Sequence, residues 1–92
     1  MSQSSVNFRA VVLADIVMNE ALEFLRELRD ERDVALSRCQ MTKSNQYSKA
    51  HTANVVRYTM LNRRVIAFES VVTELEQGAK VARAQLLKSL DE

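Results

Sequence analysis

Proline is absent from this chain, and Gly78 is its only glycine. Those two residues supply most of the turn chemistry of a multi-strand sheet, so their scarcity argues against hairpins, sandwiches and barrels. It also removes the glycine-rich loop with which nucleotide-binding folds cradle phosphates. Cys39 is the single cysteine, which rules out an internal disulfide and the paired-cysteine metal sites. His51 is the single histidine. Without a nucleophile or acid beside it, it reads as a surface residue in the first turn of a second helix rather than as a catalyst. The opening MSQSSVNFRAVVLADIVMNEAL has no basic region ahead of its apolar stretch, and Arg9, Asp15 and Glu20 interrupt that stretch. Neither a signal peptide nor a membrane span is expected, and a cytoplasmic location follows.

What is present favours helix. Hydrophobic residues make up 47% of the chain and charged residues 27%, with alanine, leucine, glutamate and arginine abundant. The fold class is all-α, and residues 1–92 read as one helical domain. A chain of 92 residues buries a smaller fraction of its surface than a longer one, so association is expected to supplement its stability.

Periodicity places the helices. From Tyr58, steps of three and four residues land on Leu61, Val65, Phe68, Val72, Leu75, Ala79, Ala82 and Leu86, an unbroken heptad seam. Between them sit Arg63, Arg64, Glu69, Glu74, Glu76, Lys80, Arg83 and Lys88, as a solvated outer face requires. The seam stays in phase across Gly78, so the helix is expected to continue through it at a cost of about 1 kcal/mol. The small run Gly78, Ala79, Ala82 and Ala84 would admit a close neighbour. The first helix, with Ser5 or Asn7 as its expected cap, carries a seam of Val11, Ala14, Met18, Ala21, Leu25 and Leu28. Leu13, Val17 and Phe24 lie beside that seam, with Val12 and Ile16 further round. One partner helix cannot cover so wide a face. After Arg26 the helix turns strongly charged, and only a thin apolar line through Leu28, Ala35 and Cys39 persists.

Between Gln40 and Thr52 the apolar pattern lapses, and Thr42, Ser44, Asn45, Ser48 and Thr52 offer side chains that compete with helix. The reading is helix 1 over about 7–41, a turn over about 43–47, and helix 2 over about 48–90. Ser44 or Ser48 would cap the second helix, and Asn45 would take the left-handed conformation that glycine usually supplies. The result is an antiparallel two-helix hairpin. Its unspent apolar width implies either two hairpins packed as a four-helix bundle or one hairpin packed on another protein.

Charge is segregated. From Val34 to Phe68 no acidic residue occurs, while Arg38, Lys43, Lys49, Arg57, Arg63 and Arg64 form a basic tip; the flanking segments are net acidic. Such a tip suits the acidic open end of a second copy, another acidic protein surface, or a nucleic acid. The carboxylates Glu20, Glu23, Glu27, Asp30 and Glu31 have spacings that could gather a metal, but Arg26, Arg29 and Arg32 are interleaved, so a solvated salt-bridged face is the expected role.

These readings converge on a non-enzymatic interaction protein with no cofactor and no metal. It is expected to pair with itself and to bind a partner protein as a small regulator, inhibitor or adaptor, of the kind phages and mobile elements encode. The candidate interface residues are Val12, Ile16, Val17, Phe24, Tyr58, Leu61, Val65, Phe68, Val72 and Leu75. Two alternatives share the architecture: an RNA- or DNA-binding helical-hairpin dimer using the basic tip, and a helical chaperone of a secretion or assembly system.

Overall fold

A computed structural model describes residues 3–91 of the chain. Two α-helices, α1 (Gln3–Met41) and α2 (Lys49–Asp91), pack against each other as a hairpin, joined by a short 3-10 turn at Lys43–Asn45. No strand occurs among the described residues. None of the described helices is long and apolar enough to cross a membrane.

The helix starts earlier than the capping residues suggested. Because α1 begins at Gln3, Ser5 and Asn7 lie within its first turns and do not cap it. Asn7 is instead buried, 9% exposed, and its amide donates to the Gln85 carbonyl oxygen of α2 at 3.3 Å. A single buried asparagine on a helical seam favours the register in which it finds a partner. Asn45 does not take the expected left-handed conformation, since no described residue has positive φ. The chain reverses through successive tight turns, in which the Asn45 amide donates to the Thr42 carbonyl and the Ser48 amide to the Asn45 carbonyl. Ser48 then caps α2, its Oγ accepting the His51 amide at 3.1 Å. Beyond it, α2 runs unbroken through Gly78.

The chain divides into two compact units. One, residues 24–69, holds the turn and the adjoining helix halves. Its core is Leu25, Leu28 and Ala35 of α1 with Leu61 and Val65 of α2, all buried. Phe24 meets Phe68 edge to face, with ring centroids 4.9 Å apart. Arg29 pairs with Glu69 at 3.5 Å across the edge of the seam. The other unit, residues 1–23 with 70–92, has a slimmer core of Ala21, Val72 and Ala79, and an exposed ion pair joins Asp15 to Arg83.

Alanine bulks little, and the burial is correspondingly thin. Val65 is the only large side chain fully enclosed among the described residues. A seam between two helices shields one stripe of each and no more.

Candidate interaction surface

Three features are candidates for function, and each is contained within one unit. The first is the outer face of α1 in the terminal unit. Val6, Phe8, Val12, Leu13, Ile16 and Val17 are between 39% and 62% exposed. At about 100° per residue these six sweep the half of the helix turned away from the seam, with Ile16 opposite it. The inner half is apolar but for Asn7, so this stretch is hydrophobic nearly all round, interrupted only by Asn7, Arg9 and Asp15. A helix of that kind is normally buried. Shallow grooves of about 470 Å³ (Ser4, Ser5, Phe8, Arg9, Leu86, Leu90) and about 290 Å³ (Phe8, Arg9, Val12, Leu13) run over this face.

The candidate interface residues therefore separate into two groups. Leu61, Val65 and Val72 are buried, and Tyr58, Phe68 and Leu75 half-buried, on the side of α2 that faces α1 within the same chain. Their apolar surface is spent holding the hairpin together. Val12, Ile16 and Val17 remain open, and Phe24, 50% exposed, is partly used by its contact with Phe68.

The second feature is the basic tip. Arg38, Lys43, Lys49, Arg57, Arg63 and Arg64 are all exposed and all fall in the turn unit. Arg29 pairs with Glu69, Arg32 with Asp33 and Arg83 with Asp15, and no ion pair among the described residues engages these six. On α2 the tip includes a shallow groove of about 310 Å³ lined by Ala53, Val56, Arg57, Met60, Leu61 and Arg64. Tyr47, 91% exposed, projects nearby in sequence at the turn.

The third feature is a polar clasp that the apolar pattern did not disclose. His51 is half-buried in the first turn of α2, and its Nδ1 lies 2.8 Å from Thr42 Oγ1. Asn54 Nδ2 reaches Thr42 Oγ1 at 3.2 Å and the Arg38 carbonyl oxygen at 3.3 Å. The Thr42 hydroxyl has one proton, which its contacts to the Arg38 and Cys39 carbonyls at 3.1 and 3.3 Å can take. Its oxygen accepts from Asn54 Nδ2, and the direction of its bond with His51 Nδ1 follows the imidazole tautomer. A side chain of α2 thus adds a bond to the Arg38 carbonyl, which already accepts the Thr42 amide at 3.2 Å, and ties the end of α1 to α2. Thr42, His51 and Asn54 continue the three-and-four spacing of the two seams, which was the signal available in the sequence. Polar identity hid it.

No group of three or more histidine, cysteine, aspartate or glutamate side chains is placed to hold a metal among the described residues. Cys39 is half-buried on the seam, a place where cysteine acts as a small hydrophobe. The chain matches no protein-family profile, no curated protein and no solved structure.

Proposed function

We propose that this chain is a non-enzymatic interaction module that pairs with itself through the outer face of α1, closing a four-helix bundle, and regulates a partner protein by presenting a helical surface. The observation that carries this reading is the apolar face of Val6, Phe8, Val12, Leu13, Ile16 and Val17, exposed within a single stretch of helix. Contiguous apolar patches of this kind mark binding surfaces on folded proteins. Fully burying one such side chain contributes about 1.5–3 kcal/mol. Six half-exposed side chains on each of two copies would contribute roughly 10 kcal/mol, close to the ~4–15 kcal/mol that association costs in lost freedom. The surplus is small, so the pair should dissociate on dilution and leave the same face open to a different protein.

A second reading is favoured by one observation, the six unpaired positive side chains of the turn unit. They would contact phosphates of RNA or DNA, with Tyr47 available to stack on a base. The near-neutral balance of the chain, +1 at pH 7, weighs against it.

Light scattering over a wide concentration range tests the first reading. The expected result is a mass moving between one and two copies of the 10.5 kDa chain, with Ile16→Glu monomeric throughout. A wild-type chain that stays monomeric and binds RNA with steep salt dependence would replace it with the second.

A further inference from the structure

Two outward ridges, one in each unit, carry nearly the same spacing and end in opposite charges. On α1, Leu13, Ile16 and Glu20 follow at steps of three and four, with Leu13 62% and Ile16 50% exposed. On α2, Val56, Met60 and Arg64 follow at steps of four, with Val56 52% and Met60 48% exposed. The first ridge spans about 10.5 Å from Leu13 to Glu20 and the second about 12 Å from Val56 to Arg64, at 1.5 Å per residue. The difference is well within the reach of an arginine side chain.

Neither Glu20 nor Arg64 takes part in an ion pair among the described residues. The second set lines the groove of about 310 Å³, whose polar rim is Arg57 and Arg64. An apolar floor with an arginine rim suits an apolar ridge that ends in a carboxylate, because the fit satisfies shape and charge together. A nucleic acid strand would engage the arginines through its phosphates and leave Val56 and Met60 uncovered.

We infer that a second copy of the chain docks its Leu13, Ile16 and Glu20 ridge along the Val56, Met60 and Arg64 groove, with the two helices parallel across the contact so that Glu20 meets Arg64. The inference rests on the self-association proposed above and adds which surfaces meet. The contact joins two different patches and closes a pair when each copy makes it to the other, so its two halves can be exchanged by charge reversal.

The test is sedimentation equilibrium on the full chain and on Glu20→Arg, Arg64→Glu and the double swap, with circular dichroism as a control for helix content. All changed positions are exposed. Each single reversal sets like charges against each other and should weaken association by roughly tenfold or more, as like-charge juxtaposition does at interfaces. The double swap should restore the wild-type mass curve. Unchanged curves for both single variants, or a double swap no better than the singles, would overturn the inference. If Ile16→Glu abolishes association while Arg64→Glu and Glu20→Arg leave it intact, the α1 face still self-associates, but by some contact other than this groove. A wild-type chain monomeric at every concentration overturns the groove contact and the self-association together.

Discussion

Replacing Gly78 by alanine should stabilise the chain by about 1 kcal/mol, the difference in helix propensity between the two residues. The structure supplies the conditions for the full effect. Gly78 lies inside α2 with no positive φ, and a Cβ added there meets nothing within 4 Å. Alanine therefore brings no clash, and it removes backbone freedom that the unfolded glycine enjoys. For a domain of this size 1 kcal/mol corresponds to roughly 4–8 °C in Tm. The assay is thermal and urea unfolding followed by circular dichroism, with wild type and Gly78→Ala at one shared protein concentration, since self-association makes stability depend on concentration. Loss of stability would refute the reasoning. It would mean that another helix packs against Gly78 in the assembled protein, as the small run of Gly78, Ala79 and Ala82 would permit.

Other substitutions probe the seam, the clasp and the cap. Leu61→Ala removes a side chain only 2% exposed from the turn unit and should cost about 2–4 kcal/mol in urea unfolding. Thr42→Val keeps the shape of the side chain but deprives His51 and Asn54 of their shared oxygen, so a loss of about 1–2 kcal/mol is expected from the same measurement. Ser48→Ala takes the acceptor from the first turn of α2 and should cost about 1 kcal/mol, with faster amide exchange at His51 as a local signature.

How legible was this in the sequence? The α2 seam from Tyr58 to Leu86 was readable because its residues are apolar and strictly periodic, and steric matching of such residues leaves few other packings. The exposure of Val12, Ile16 and Val17 was readable for the converse reason, as one partner helix covers one stripe. The ends of the hairpin were not. Asn7, Thr42, His51 and Asn54 occupy seam positions, yet a polar side chain there is buried only if a specific acceptor waits for it, and that acceptor belongs to the other helix. Asn7 finds the Gln85 carbonyl and Asn54 the Arg38 carbonyl, pairings of 78 and 16 residues' separation that no local pattern encodes. For the same reason Asn7 looks like a cap in the sequence alone. A left-handed Asn45 is required only if the reversal needs positive φ, whereas a 3-10 turn reverses the chain with ordinary backbone angles.

The central claim is that the outer face of α1, open in the single chain, is covered in the working molecule. Thiol labelling of Ile16→Cys in a Cys39→Ala background tests it most directly, since position 16 lies opposite the seam and is 50% exposed in the single chain. The account predicts that modification is fast at low protein concentration and slows several-fold as the concentration rises, tracking self-association. A rate that stays fast and flat across the whole range, in a protein that remains helical, would contradict it.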